Sequence, residues 1–189
     1  MKIIKPILIA YFVFFYSSTF AYADDQEQLN MKLAEAALVG SLEVVKNTLV
    51  NGADINTKIK FDTTPLIFAS KEGHTAIVKL LLEAKADVDV SNFRGFTSLI
   101  FASKEGYAKI VKLLLEAKAD VNAATDNGAT PLIIASQNGH TEVVKLLLEA
   151  NADVNVTLNS WGKDYTALSI AQRFGRHPTI KLLKEYGAK

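Results

Sequence analysis

Cysteine is absent from the 189 residues. That excludes disulfides, thiol nucleophiles and Cys-based zinc sites together, and it leaves the redox compartment open. Histidine is scarce, at three residues, and tryptophan occurs once. Neither sign of charge predominates: 21 Lys and Arg face 20 Asp and Glu, a formal net charge of +1. Such a balance provides no electrostatic case for nucleic acid or for an anionic membrane surface. What the chain does have is apolar material. Hydrophobic residues make up 49% and charged residues 22%, a composition able to bury a substantial core.

Near the start, Lys2 and Lys5 precede a wholly apolar or aromatic run from Ile7 to Tyr16. Ser17, Ser18 and Thr19 then soften it, and Ala21-Tyr22-Ala23 puts small residues where a signal peptidase pocket must accommodate them. This order is that of a secretory signal peptide. An uncleaved anchor would want about 20 apolar residues, and this run is shorter. The expectation is cleavage after Ala23, a mature N-terminus at Asp24, and an exported chain, periplasmic or secreted, with no membrane attachment. No cysteine follows the run to carry a lipid. Removing Lys2 and Lys5 from the 21 leaves 19 basic residues against 20 acidic.

A period of 33 organises the rest of the chain. Thr64, Thr97 and Thr130 stand 33 apart, each followed at fixed offsets by Leu, Ile, Ala, Ser and Gly. Residues 64–88 match 97–121 at 21 of 25 positions. A further unit starts at Thr166, 36 residues after Thr130, and an upstream one carries Gly40, 33 before Gly73. That makes five units, the first and last degenerate.

Each unit reads as two helices and a loop. Thr64 is a suitable N-cap and Pro65 suits the first helical position, which needs no N–H. Leu66, Ile67, Phe68 and Ala69 give a short apolar helix, and Gly73 is placed to end it through a left-handed residue. A second helix starts near Thr75, with Ile77, Val78, Leu80, Leu81 and Leu82 apolar almost all round. Such a helix must be buried on more than one side. Ala86-Asp87-Val88-Asp89 then leads into a polar stretch ending at Gly95, long enough for a hairpin-like loop. Neither helix can bury its apolar surface alone, whereas stacked copies can.

These residues resemble the ankyrin repeat: the T-P-L-x-x-A start, the G-H turn, the V-V-K-L-L-L helix and the A-D-V-N exit, at 33-residue spacing. The resemblance covers about residues 31–189. It implies an all-α solenoid of stacked helix pairs with projecting β-hairpin loops. The expected organisation is a signal peptide at 1–23, a short leader at 24–30, and repeats at about 31–63, 64–96, 97–129, 130–165 and 166–189. Two features depart from the family pattern. Its usual histidine after T-P-L is replaced by Ile67, Ile100, Ile133 and Ser169, so apolar packing must substitute in three units. The glycine ending the second helix survives at Gly52 and Gly187 but is Lys85, Lys118 and Asn151 between them, where a left-handed backbone costs a Cβ-bearing residue about 1 kcal/mol.

Catalytic chemistry finds little support. His74 and His140 occupy the G-H turn two repeats apart, about 20 Å at 8–10 Å per helix layer, too far to share a metal ion; Tyr107 fills the slot between them. His177 reads as a surface residue near the C-terminal cap. Asp54, Asp87, Asp120 and Asp153 recur at one repeat position and line up without converging, as turn acceptors would. Lys79, Lys112, Lys145 and Lys181 each precede a Glu by four, a self-neutralising solvated face unsuited to phosphate. No phosphate loop, nucleophile elbow or metal-ligand spacing occurs. The expectation is a non-enzyme with no catalytic residues, cofactor or metal.

The frame is nearly copied between repeats while the loop tips and the ends of the first helices vary. In the family these positions line the fingers and the concave face where partners bind. The candidates so implied are Phe61, Phe93, Arg94, Phe96, Asp126, Asn127, Trp161 and Tyr165 on the loops. Lys71, Lys104, Gln137, Asn138 and Arg173 join them at the helix ends. Aromatics and arginine are common interface anchors. Phe96 and Tyr165 have the alternative of packing on the next hairpin, and Phe93 and Trp161 of folding back onto the stack. The functional expectation is a monomeric, exported module that binds a protein partner. The rival is a structural or protective companion of a co-exported enzyme, which a pull-down recovering that enzyme in constant ratio would favour.

Overall fold

A computed structural model describes residues 25–160 and 163–189; the expected signal peptide 1–23, the expected N-terminal Asp24, Trp161 and Gly162 lie outside them. Among the described residues, ten helices form five successive pairs. The first three are α1 (25–39) with α2 (Leu42–Val50), α3 (Pro65–Lys71) with α4 (Thr75–Glu83), and α5 (Ser98–Glu105) with α6 (Ala108–Glu116). The last two pairs are α7 (Pro131–Asn138) with α8 (Thr141–Glu149), and α9 (Ala167–Arg173) with α10 (His177–Glu185). Strands β1 (Leu158–Ser160) and β2 (Lys163–Tyr165) form an antiparallel hairpin ahead of α9, with Leu158 opposite Tyr165. It is the one sheet among the described residues. The first two loops close with single bridges, Ile59 to Thr63 and Ser91 to Thr97.

The helices start where the sequence places its caps. Thr64, Thr97, Thr130 and Thr166 each accept a hydrogen bond from the backbone N–H three residues on, at 3.2–3.4 Å. Ser169 completes a reciprocal box by accepting from the N–H of Thr166 at 2.9 Å. In the other three units Ile67, Ile100 and Ile133 are fully buried, so apolar packing fills the place of the missing histidine.

Helices α3, α5, α7 and α9 pack in succession as one layer, and α2, α4, α6, α8 and α10 as the other. Leu81, Leu114, Leu147 and Leu183, one repeat position, are all inaccessible and run down the middle of one core. The second helices end with left-handed residues throughout. Lys85, Lys118 and Asn151 have φ of 68°, 69° and 63°, against 88° and 83° at Gly52 and Gly187. Behind Lys118, Ala119 N–H donates to Leu114 C=O at 3.0 Å and Lys118 N–H to Leu115 C=O at 3.0 Å, the bond pair of a Schellman ending.

Two interactions join neighbouring repeats. The G-H ring lies over the glycine of the preceding unit: His140 Nε2 is 3.0 Å from the carbonyl oxygen of Lys104, and a Cβ on Gly106 would stand 2.6 Å from the ring. His74 covers Gly40 in the same way and meets the Leu38 carbonyl at 3.0 Å. Tyr107 and Arg176 fill the slot elsewhere. The second interaction is a side-chain ladder below the loops. Each Asp of the A-D turn accepts from the N–H two residues on, at 2.9–3.1 Å. The carboxamide or carboxylate at that next position accepts from the following repeat: Asn56 from Asp87 N–H, Asp89 from Asp120, and Asn122 from Asp153, each at 2.9 Å.

Residues 25–30, read as a leader, are helical and continuous with 31–39. Their polar side chains are what attach them. Asn30 Oδ1 accepts from Asp54 N–H at 2.7 Å and so starts the ladder, while Gln26 Nε2 donates to Gly52 C=O at 3.1 Å.

Candidate protein-binding surface

The first loop after α2 turns through a short 3-10 segment, Lys60–Asp62, in which Phe61 and Asp62 both have positive φ, 62° and 57°. Glycine stands at the position of Asp62 in the next two loops, as Gly95 and Gly128. The strained tip holds Phe61 outward, 70% exposed. In the second loop, Asn92 Oδ1 accepts from the N–H groups of Arg94 and Phe96, each at 3.0 Å. That turn leaves Phe93 half exposed.

The tips support each other across repeats. Phe93 N–H donates to Phe61 C=O at 3.2 Å and Asp126 N–H to Arg94 C=O at 3.1 Å. The Phe61 and Phe93 rings meet at 5.2 Å between centroids, and the Arg94 guanidinium lies 5.2 Å from the centre of the Phe93 ring. Three of the sequence candidates therefore form one aromatic and cationic cluster on exposed loops. Exposed aromatic surface beside an arginine is the chemistry of an interface anchor.

Beside this cluster runs an open groove of about 880 Å³. Phe68 of α3 and Phe101 of α5 contribute apolar lining, and Lys71 also borders it. Its other wall is α1, through Glu27, Met31, Glu35 and Leu38. Sequence reasoning missed that wall. The signal was present as a helical stripe at 27, 31, 35 and 38, opposite the buried Leu33, Ala36 and Ala37.

The remaining candidates are not among the groove-lining residues. Phe96 is half-buried, 5.0 Å from the Phe101 ring and packed on the cluster of Ile100, Ala129 and Ile134. Asp126 and Asn127 are exposed on the third tip, where Asn127 bonds the Thr125 hydroxyl. Lys104 pairs with Glu105 at 3.3 Å, as Lys71 does with Glu72 at 3.1 Å. Asn138 donates to the Lys104 carbonyl at 3.2 Å, and Gln137 beside it is exposed. Tyr165 and Arg173 form their own pair towards the C-terminal end, with Arg173 Nη1 3.0 Å from the Tyr165 hydroxyl and its guanidinium 5.6 Å from the ring centre. Trp161 is outside the described residues.

The chain matches the family described as ankyrin repeats (three copies) over residues 33–125 and again over 117–189. It belongs to the ankyrin-repeat family. No curated protein matches it as a relative. Ankyrin repeats generally mediate protein–protein interaction and are typically non-catalytic. The ankyrin fold accounts for the separation of roles seen here. The G-H rings and the ladder residues hold repeat to repeat, and the loop tips are left to vary. Among the described residues no group of three or more His, Asp or Glu could hold a metal ion, and no helix is long and apolar enough to cross a membrane.

Proposed function

We propose that this ankyrin domain is a monomeric, exported module that recognises a partner protein through its loop tips and the concave face beside them. One observation carries the reading: Phe61, Phe93 and Arg94 come together on exposed tips at the edge of an apolar groove. A surface already braced by inter-repeat hydrogen bonds loses little conformational freedom on binding, so more of the contact energy appears as affinity. Export rests on the order of charge, apolar run and A-x-A site in residues 1–23. Affinity capture with the full chain and with Phe93→Ala in parallel tests the recognition. A protein retained by the unaltered chain and lost by the variant is the expected result; retention of the same proteins by both would contradict it. Terminal sequencing of exported protein should read from Asp24, and a chain still starting at Met1 would replace the signal peptide with an anchor.

A further inference from the structure

The groove at the N-terminal end has walls of opposite charge. On α1, Glu27 and Glu35 border the groove together with Met31 and Leu38, which are 45% and 37% exposed. On the facing loop, Lys58 and Lys60 flank Ile59 and lead to Phe61. No ion pair among the described residues engages any of these four charges. Phe68, Phe93 and Phe101 add aromatic surface to the same lining. An apolar strip bordered by acid on one side and base on the other is the complement of one common shape. An amphipathic helix is about 10–12 Å across and carries polar side chains on both flanks of an apolar stripe. A small ligand filling about 300–1,000 Å³ would need its own opposite charges on opposite edges to use both walls.

The Phe61 tip is a second, independent observation. A phenylalanine and an aspartate keep left-handed backbone where the neighbouring loops use glycine. Backbone strain of this kind persists where surrounding structure enforces it, and it collects at ligand contacts. Here it holds Phe61, the most exposed aromatic ring among the described residues, in the lining of the groove.

Building on the protein-binding reading above, we propose that the groove takes an amphipathic α-helix of the partner. The partner's apolar stripe, at i, i+4 and i+7, lies on Met31, Phe68 and Phe101 beneath Phe61 and Phe93. Its basic flank faces Glu27 and Glu35, and its acidic flank faces Lys58 and Lys60.

A displayed library of helical peptides of roughly five turns, with leucine fixed at i, i+4 and i+7 and both flanks randomised, is the probe. Selection on the full chain should enrich Lys or Arg along one flank and Asp or Glu along the other. Phe61→Ala and Phe93→Ala should each weaken the best peptide about tenfold or more. Selection on the Glu27→Lys, Glu35→Lys double variant should replace the basic flank by an acidic one. These exposed substitutions should leave the melting curve in place, so a changed selection reports the groove and not the fold. Random flanks, no enriched peptide, or the same flanks on the charge-reversed variant would overturn the proposal. Peptides that ignore Phe61→Ala but are lost with Gln137→Ala or Arg173→Ala would overturn it too, while leaving recognition by the concave face intact.

Discussion

Lys118 carries a Cβ where Gly52 and Gly187 carry none, yet all three sit at positive φ. The exposed lysine makes the Schellman bonds that glycine would make and bears the left-handed strain in addition. Lys118→Gly should therefore stabilise the domain by up to about 1 kcal/mol, read as a raised denaturation midpoint; a lowered one would show that the lysine stem packs usefully. The buried serines give a second stabilising substitution. The hydroxyls of Ser70, Ser103 and Ser136 are inaccessible and have no hydrogen-bond partner among the described residues. A buried unpaired hydroxyl costs about 1–3 kcal/mol, and Ala37 already fills this position in the first repeat, fully buried. Ser103→Ala should raise stability by about 1 kcal/mol. A loss in urea titration would contradict an unpaired hydroxyl.

Between elements, the G-H ring fits closely on the preceding repeat's glycine. Gly106 combines a φ of 80° with a ring so near that a Cβ would stand at 2.6 Å. Gly106→Ala should cost about 1–2 kcal/mol or more, from backbone strain and displacement of His140 together; an unchanged melting temperature would show that the ring moves away freely. This contact explains what could be read in advance and what could not. Thr caps and apolar helix stripes are local signals, and they reappear as helix starts and buried faces. The structural part of the two histidines was legible too, because Tyr107 breaks any ligand series between them. Contacts across repeats were not. The tilted Phe61–Phe93 ring contact and the Asn56-to-Asp87 bond join residues 32 and 31 positions apart, and their closeness comes from the offset between stacked repeats alone. Residues 25–30 looked like a leader because they lack an apolar run; Gln26 and Asn30 attach them by hydrogen bonds to the first loop.

For the whole molecule, a stack whose repeats touch only their neighbours offers one continuous surface with chemically distinct ends. The N-terminal end has the groove, the paired phenylalanines and Arg94, and the C-terminal end has the Tyr165–Arg173 pair. On the outer layer Lys112 and Glu116 of α6 are exposed and of opposite sign, a pair worth only about 0.2–0.5 kcal/mol. Recognition should therefore be lopsided between faces. The decisive measurement is the affinity of a captured partner for Phe61→Ala, Phe93→Ala and Trp161→Ala beside the Lys112→Ala, Glu116→Ala double variant, with the melting temperature of each. Truncating a finger aromatic should weaken binding by about 2 kcal/mol or more, roughly thirtyfold, at nearly unchanged melting temperature, while the outer-face variant binds within about twofold of the parent. Loss of the partner in the Lys112→Ala, Glu116→Ala variant, with Phe61→Ala and Phe93→Ala still binding, would contradict the assignment of the binding face.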